Sequence, residues 1–285
     1  MNVKTIALRL ERKLPFKFVL VFFAAFIVVW SLLPIAWMFV TSFKTENEIY
    51  SWPPAWLVKD PTWTNYKNAF IERPFLAYVK NSVIVSFFSV LISCSLAVMA
   101  AYGFSKYKFR SGTFLFFLIL ASRAIPPASL LFPFYMMGRT LHLINTHTIL
   151  ILAYIYITLP LNIWIIKGFF DNFPEELLDA AEVDGCSRLR ALGKVVLPIL
   201  MPAIVAIIII TFITAWNELL YAVVFTNTPD AKTIPTGLID FFGDFQILWG
   251  PLEAAASLST VPAIIFSFLF ARQIVSGLVA GAVKG

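Results

Sequence analysis

Apolar residues in this chain run on without alternation for lengths that match the thickness of a lipid bilayer. The stretch Ile204-Val205-Ala206-Ile207-Ile208-Ile209-Ile210 is an example. Inside a bilayer every backbone polar group must find a partner within the protein, so only helices and closed barrels can cross. A barrel strand alternates apolar and polar residues, and these runs do not. A spanning helix needs about 20 apolar residues. The pattern therefore predicts an all-α integral membrane protein. Only 13% of the 285 residues are charged, against about 25% in soluble domains.

Roughly six spanning segments are expected by the length criterion: Phe16–Val40, Val79–Phe104, Thr113–Met137, Thr148–Phe170, Val195–Phe225 and Glu253–Val275. The fifth exceeds one span, which predicts tilt or extension beyond the bilayer. Ile125-Pro126-Pro127 should interrupt the third, because proline lacks the N–H that a helix interior uses.

The net charge of +6 is explained by topology, since Lys and Arg collect on the cytoplasmic side. Lys4, Arg9, Arg12, Lys13 and Lys17 precede the first span, and Lys106, Lys108 and Arg110 come after the second. Arg188, Arg190 and Lys194 lie between the fourth and fifth, and Arg272 and Lys284 near the C-terminus. With an even number of spans all four groups share one side, which places both termini in the cytoplasm. The basic N-terminal stretch precedes an apolar run too long for a secretory signal core, so an uncleaved first helix is expected. No clustered basic face with stacking aromatics suggests nucleic acid as a partner.

Two segments are expected outside. Thr41–Tyr78 is rich in Trp, Tyr and Pro, residues that favour the headgroup layer, and a short helix or turn lying on the membrane is expected there. Thr226–Pro251 carries Asp230, Lys232, Asp240 and Asp244 among Gly and Pro and is expected to be exposed. His142 and His147 fall in a short outer loop, as solvated residues. Cys94 and Cys186 lie at different depths, which argues against a disulfide, and with the histidines they make no metal-ligand spacing.

The polar insert Pro174–Pro198, between two spans, predicts helix, turn, helix. Pro174 suits the first helical position, and Glu175 and Glu176 suit the positive end of the helix dipole. Gly185 suits a left-handed terminating residue, and Ser187 can cap a second short helix leading into Leu197-Pro198. Ala180 and Ala181 would permit close approach of another surface, with Leu177 and Leu178 giving apolar contact. The alternative is an amphipathic loop lying on the bilayer, for which a basic face would argue; the first insert helix is acidic.

Asp179-Ala180-Ala181, three residues, Gly185, nine residues and Val195-Val196-Leu197-Pro198 resemble the EAA loop of ATP-binding-cassette importer permeases, with Asp for Glu and Val for Ile. The tail Gly277–Gly285, the stretch Ser42-Phe43-Lys44, Asn65-Tyr66 and Trp216-Asn217-Glu218 are similar to the maltose-type permeases of the carbohydrate-uptake branch. The resemblance implies one transmembrane permease domain over 1–285, with core spans over roughly 79–275, in the plasma membrane of a prokaryote (the inner membrane if Gram-negative). It implies a coupling helix carrying Glu175, Glu176, Leu178, Asp179, Ala180, Ala181, Asp184 and Gly185, closed by Leu197 and Pro198, against an ATPase subunit. It places Gly281, Val283, Lys284 and Gly285 toward that subunit and the third outer loop toward a solute-binding protein. A second permease and two ATPase subunits are the other implied partners, with ATP and Mg bound in those ATPases. The implied solute is a sugar or related polyol.

The chain carries no cofactor motif of its own: the phosphate loop G-x-x-x-x-G-K-[ST] is absent. Arg123 and Glu218 fall within or near spans, where charge is expensive and faces a pathway or a partner. Trp216, Asn217 and Tyr221 lie near Glu218 in sequence, and aromatic rings and amides are the groups that bind sugars. Snorkelling of Arg123 to an interface is the plain alternative. Two other functions are open to such a chain. A secondary transporter or channel would show related halves and midplane charges, and neither is evident. An intramembrane enzyme needs a nucleophile–base pair, and no G-x-S-x-G precedes a helix.

Overall fold

A computed structural model describes residues 3–107, 109–243 and 245–270, with side chains described from residue 17 onward except at Leu189. The described residues are helical with short connections. In chain order the α-helices are α1 (Val3–Ser42), α2 (Glu46–Ile49), α3 (Thr64–Lys67), α4 (Phe75–Lys106), α5 (Gly112–Ala121), α6 (Pro127–Thr140) and α7 (His147–Asp171). They continue as α8 (Glu176–Val183), α9 (Arg188–Ala191), α10 (Leu197–Asn217), α11 (Leu220–Phe225), α12 (Ile234–Ile239) and α13 (Trp249–Leu269). Five of the described helices are long and apolar enough to cross a membrane, or six if the bent pair α5–α6 counts as one span.

The chain divides into two units, Met1–Arg73 with Gly243–Leu258 and Pro74–Phe242 with Ser259–Gly285. In the first, the end of α1 is tied to the segment after it. Asn65 Nδ2 donates to the carbonyls of Ser42 (3.0 Å) and Lys44 (2.8 Å), and Phe43 stacks edge-on against Trp63 at 5.0 Å. Lys44 is buried, with its ammonium 4.0 Å from the centre of the Trp37 ring. That contact offsets part of the cost of removing the charge from water. The expected short helices are present as α2, α3 and a π-turn at Asn68–Glu72.

In the second unit α4 packs along α7, and α10 packs against both. Lipid tails are as apolar as leucine, so such packing depends on close van der Waals fit and interhelical hydrogen bonds. The sequence provides both. Ser82, Ser86, Ser89 and Ser93 recur at three- and four-residue spacing on α4 and are all buried, continued by Ala97 and Ala101. At mid-depth Asn162 Nδ2 donates to Ser93 Oγ (3.1 Å) and Thr211 Oγ1 (2.8 Å), and Ser93 and Thr158 hydroxyls share a bond of 2.9 Å. One amide thus links three spans. Asn162→Ala is expected to cost about 0.6–1.7 kcal/mol, the range for such bonds in membranes. A double-mutant cycle with Ser93→Ala, read by thermal unfolding in detergent, should return a coupling energy; strict additivity would show that the bond contributes nothing.

Two spans differ from a single straight rod. The third is broken as Pro126 and Pro127 dictate: α5 passes into a 3₁₀ turn at Ser122–Ala124, Ile125 is extended, and α6 leaves at 101°. The residue before a proline avoids the helical region, which fixes the corner at Ile125. The fifth run was expected to be one long helix to Phe225. It ends instead at Asn217, with Glu218 extended, and restarts as α11. The sixth begins at Trp249, and its expected end at Val275 lies outside the described residues.

The segment 226–242 is also less exposed than its composition suggests. Asn81 on α4 donates to the carbonyls of Pro229 (2.9 Å) and Lys232 (2.8 Å), and Ser82 Oγ accepts the N–H of Ile234. Asp240 takes Tyr78 OH and Lys232 Nζ. Gly237 lies so close to the Tyr78 ring that a Cβ there would overlap it. His147, expected to be solvated, bonds Asn81 Oδ1 at 2.9 Å, while His142 is exposed. Asn81, Asp240 and His147 are polar because they bond other groups of the protein, which composition cannot distinguish from polar because exposed.

Candidate functional site

The first helix of the insert between α7 and α10 begins two residues later than its sequence suggests. Glu175 is the N-cap, with Glu176 and Asp179 in the first turn of α8, so Pro174 precedes the cap instead of occupying the first helical position. At the other end the fit is close. Gly185 has φ +81°. Its N–H bonds Glu182 O at 3.0 Å, and Cys186 N–H bonds Ala181 O at 2.9 Å. This pair of bonds is the Schellman closure that a left-handed glycine permits. A Cβ on Gly185 would meet nothing within 4 Å, so the requirement for glycine is in the backbone alone.

Helical spacing sorts α8 into two faces. Ala181 is buried, and Leu178 packs against the cluster containing Phe170, Phe173 and Val196. Glu176, Leu177, Asp179, Ala180 and Val183 face outward with Asp184 beside them, Leu177 at 41% and Val183 at 87% exposure. Of the four residues expected to contact another surface, Leu178 and Ala181 therefore hold the helix to the protein and Leu177 and Ala180 are displayed, joined by Val183. Lys106 of α4 pairs with Glu175 of the insert at 3.3 Å, and within the insert Arg188 pairs with Glu182 at 2.8 Å. Glu182 and Tyr107 both hydrogen-bond Arg188 and hold its guanidinium more firmly charged than usual. After α9 comes a π-turn at Leu192–Val196, then Leu197 and Pro198 at the start of α10. The missing N–H of Pro198 leaves the carbonyl of Lys194 without its helical donor, which favours the wider turn.

The other candidate residues lie at the two helix breaks, and α7 tyrosines join them. Tyr221 is fully buried and donates to Pro127 O at 3.3 Å, where α6 starts. Tyr156 donates to Ser122 O at 3.1 Å, where α5 ends, and its ring meets Phe134 at 5.1 Å. Glu218 turns its carboxylate onto the N–H groups of Tyr221 (3.1 Å) and Ala222 (3.3 Å), capping α11 as a negative group at a helix N-terminus should. Tyr154 donates to Glu218 O at 3.4 Å. Arg123 is exposed beside the first break. Trp216 corrects the expectation that it joins this group. It is buried against Phe212 and donates to Ser259 O. Asn217 is exposed, with its amide bonded back to Ile213 O.

Residues 93–279 match the family model of the binding-protein-dependent transport system inner membrane component. The chain belongs to that family. This inner membrane component is 35% identical over 262 residues to the sulfoquinovosyl glycerol transport system permease protein SmoH of Agrobacterium fabrum, covering 92% of each chain. It is 34% identical over 273 residues to the trehalose/maltose transport system permease protein MalG of Thermococcus litoralis, covering 94% of this chain and 97% of that one. Its fold is similar to that of a bacterial ABC transporter involved in alginate import, with TM-score 0.79 over 90% of this chain and 95% of that one at 20% identity. The protein is thus a multi-pass integral membrane permease subunit of an importer.

Several residues that shape this permease were not singled out from sequence, Tyr107, Val183, Tyr156 and the Ser93–Asn162–Thr211 set, and Lys106 was read only for orientation. Val183 could have been found, since positions 176, 179, 180 and 183 fall on one helical face. The partners of Lys106 and Tyr156 are distant in sequence and carry no local signal. Gly281, Val283, Lys284 and Gly285 lie outside the described residues. No group of three or more His, Cys, Asp or Glu side chains among the described residues could hold a metal ion.

Proposed function

We propose that this permease carries a sugar or related polyol inward by alternating access, driven by ATP hydrolysis in partner subunits. The displayed face of α8 carries the reading. It is an acidic helix bearing two exposed apolar residues, closed by a left-handed glycine and fastened to the rest of its unit by Lys106 and by the packing of Leu178. Val183, 87% exposed, stands with Leu177 and Ala180 on the outward side of the helix, where an ATPase subunit with an apolar cleft would meet them. Asp179, Ala180, Val183 and Asp184 are the contact residues in this reading, and Leu178, Ala181, Leu197 and Pro198 hold them in place. The C-terminal residues Gly281, Val283, Lys284 and Gly285 are proposed to reach the same partner.

The complex would contain a second permease, two ATPase subunits and an external solute-binding protein. ATP and Mg would bind in the ATPases, leaving the permease itself without catalytic residues. Both termini and the insert face the cytoplasm in this reading, as the Lys and Arg distribution requires. The names of the trehalose/maltose and sulfoquinovosyl glycerol relatives support a carbohydrate solute. Arg123 and the Glu218–Tyr221 break are the pathway candidates, since non-helical backbone at membrane depth is tolerated where it lines a cavity or is buried in protein. Affinity purification of the tagged chain from its host in mild detergent should recover an ATPase and a second permease. Recovery of the intact chain alone would overturn the importer reading in favour of a self-contained transporter.

A further inference from the structure

The first unit contains a cleft of about 320 Å³ between the segment after α1 and the start of α13. Its walls include Glu46, Tyr50, Thr64, Asn68, Gln246 and Trp249. They are built rather than incidental. Tyr50 OH donates to Ile247 O at 3.1 Å and ties one wall to the other. Asn65 grips the carbonyls of Ser42 and Lys44. Gly250 approaches the Asn65 amide so closely that any Cβ would collide with it. The Gly250 backbone therefore packs directly on the Asn65 amide. Tyr50 and Trp249 remain 56% and 39% exposed, with ring surface uncovered.

The lining has a distinct chemistry. Threonine hydroxyls, amides and one carboxylate, that of Glu46, supply donors and acceptors, two aromatic rings supply flat apolar faces, and no lysine or arginine lines the cleft. An anionic ligand would find no counter-charge there, and an apolar one would take the Glu46 carboxylate and the Gln246 amide out of water without giving them a partner, which is costly. A neutral polyhydroxylated ring satisfies both halves: its hydroxyls meet the amides and carboxylate and its C–H face meets an aromatic ring. The volume lies at the lower end of small-molecule sites, about 300–1,000 Å³, enough for one sugar residue or two.

The geometry points to a binding site for a neutral sugar ring in this cleft, on the outer side of the membrane. The inference rests on the importer reading for its topology and solute class, and extends it to a site within this subunit.

Cysteine protection tests it. The full complex carrying Thr64→Cys and Cys186→Ser is reconstituted in vesicles with the outer face exposed and treated with a membrane-impermeant maleimide. Maltose, trehalose and glucose are the probes, and betaine is the unhydroxylated control. Labelling should slow about twofold when the sugar concentration equals its Kd, as half-occupancy requires. Trp249→Ala should abolish protection, while Trp249→Phe, which keeps a ring, should retain part of it. Adding a glucosyl diacylglycerol instead of free sugar distinguishes a lipid-borne ring from a soluble one, and protection by either supports the site. Protection equal to that of betaine, unaffected by Trp249→Ala, would overturn it, as would labelling only after the vesicles are opened. ATP-driven uptake is measured in parallel. Uptake without protection refutes the cleft and spares the importer reading; protection without uptake does the reverse; absence of both refutes both.

Discussion

Gly185→Asp is expected to leave the permease in the membrane at normal abundance while removing most of its transport and its hold on the ATPase. The reason is local. Gly185 sits at φ +81°, where a side chain costs about 1–2 kcal/mol, a factor of about 5 to 30 in the population of the closed turn. No packing is disturbed, because the added Cβ meets nothing within 4 Å. Insertion and the span core are untouched, so the loss appears as uncoupling and not as misfolding. The new carboxylate also joins Asp179, Glu182 and Asp184 on one small surface, where like charges repel. Gly185→Ala separates the two effects, since it keeps the backbone cost without the charge. Quantified membrane content, ATPase co-purification and uptake are the measurements. Uptake at the wild-type rate with Gly185→Asp would show that the insert is not the coupling element.

Tyr221→Ala is expected to have the largest effect on stability. The ring is fully buried between α6 and α7, against Phe134 and Phe225. Truncating a large buried aromatic costs about 3–5 kcal/mol. Tyr221→Phe removes only the bond to Pro127 O and should cost about 1 kcal/mol. The thermal midpoint of the purified protein in detergent should therefore fall much further for alanine than for phenylalanine. Equal shifts would mean that the hydroxyl, and not the seated ring, holds the two helix breaks together.

The two predictions draw on different levels of information. Gly185 was legible in sequence, because a glycine after a run of helix formers has few other uses, and the closure involves only residues 181–186. The break at Pro126-Pro127 was legible for the same reason: proline chemistry acts within one turn. The seat of Tyr221 was not legible. Its value depends on Pro127 and Phe134, nearly a hundred residues earlier by number, and no pattern along the chain marks that meeting. The break after Asn217 was hidden too, since Glu218 stands in an otherwise continuous apolar run and only its folded position as a cap for α11 explains the corner.

Sequence by itself determined the features that depend on solvent and on neighbours along the chain. Hydrophobic runs set the number of spans, and one polar insert with a terminal glycine specified a displayed helix. Tertiary structure alone decided which polar residues fasten the protein to itself. Asn81, His147, Asp240 and Asn162 look like surface or pathway residues in the linear chain, yet each is bonded to groups at least 49 positions away. It also decided which insert residues face inward, turning Leu178 and Ala181 into anchors and leaving Val183 on display. A side chain's hydrogen-bonding capacity is written in its type, but whether water or protein satisfies it depends on which helices come together.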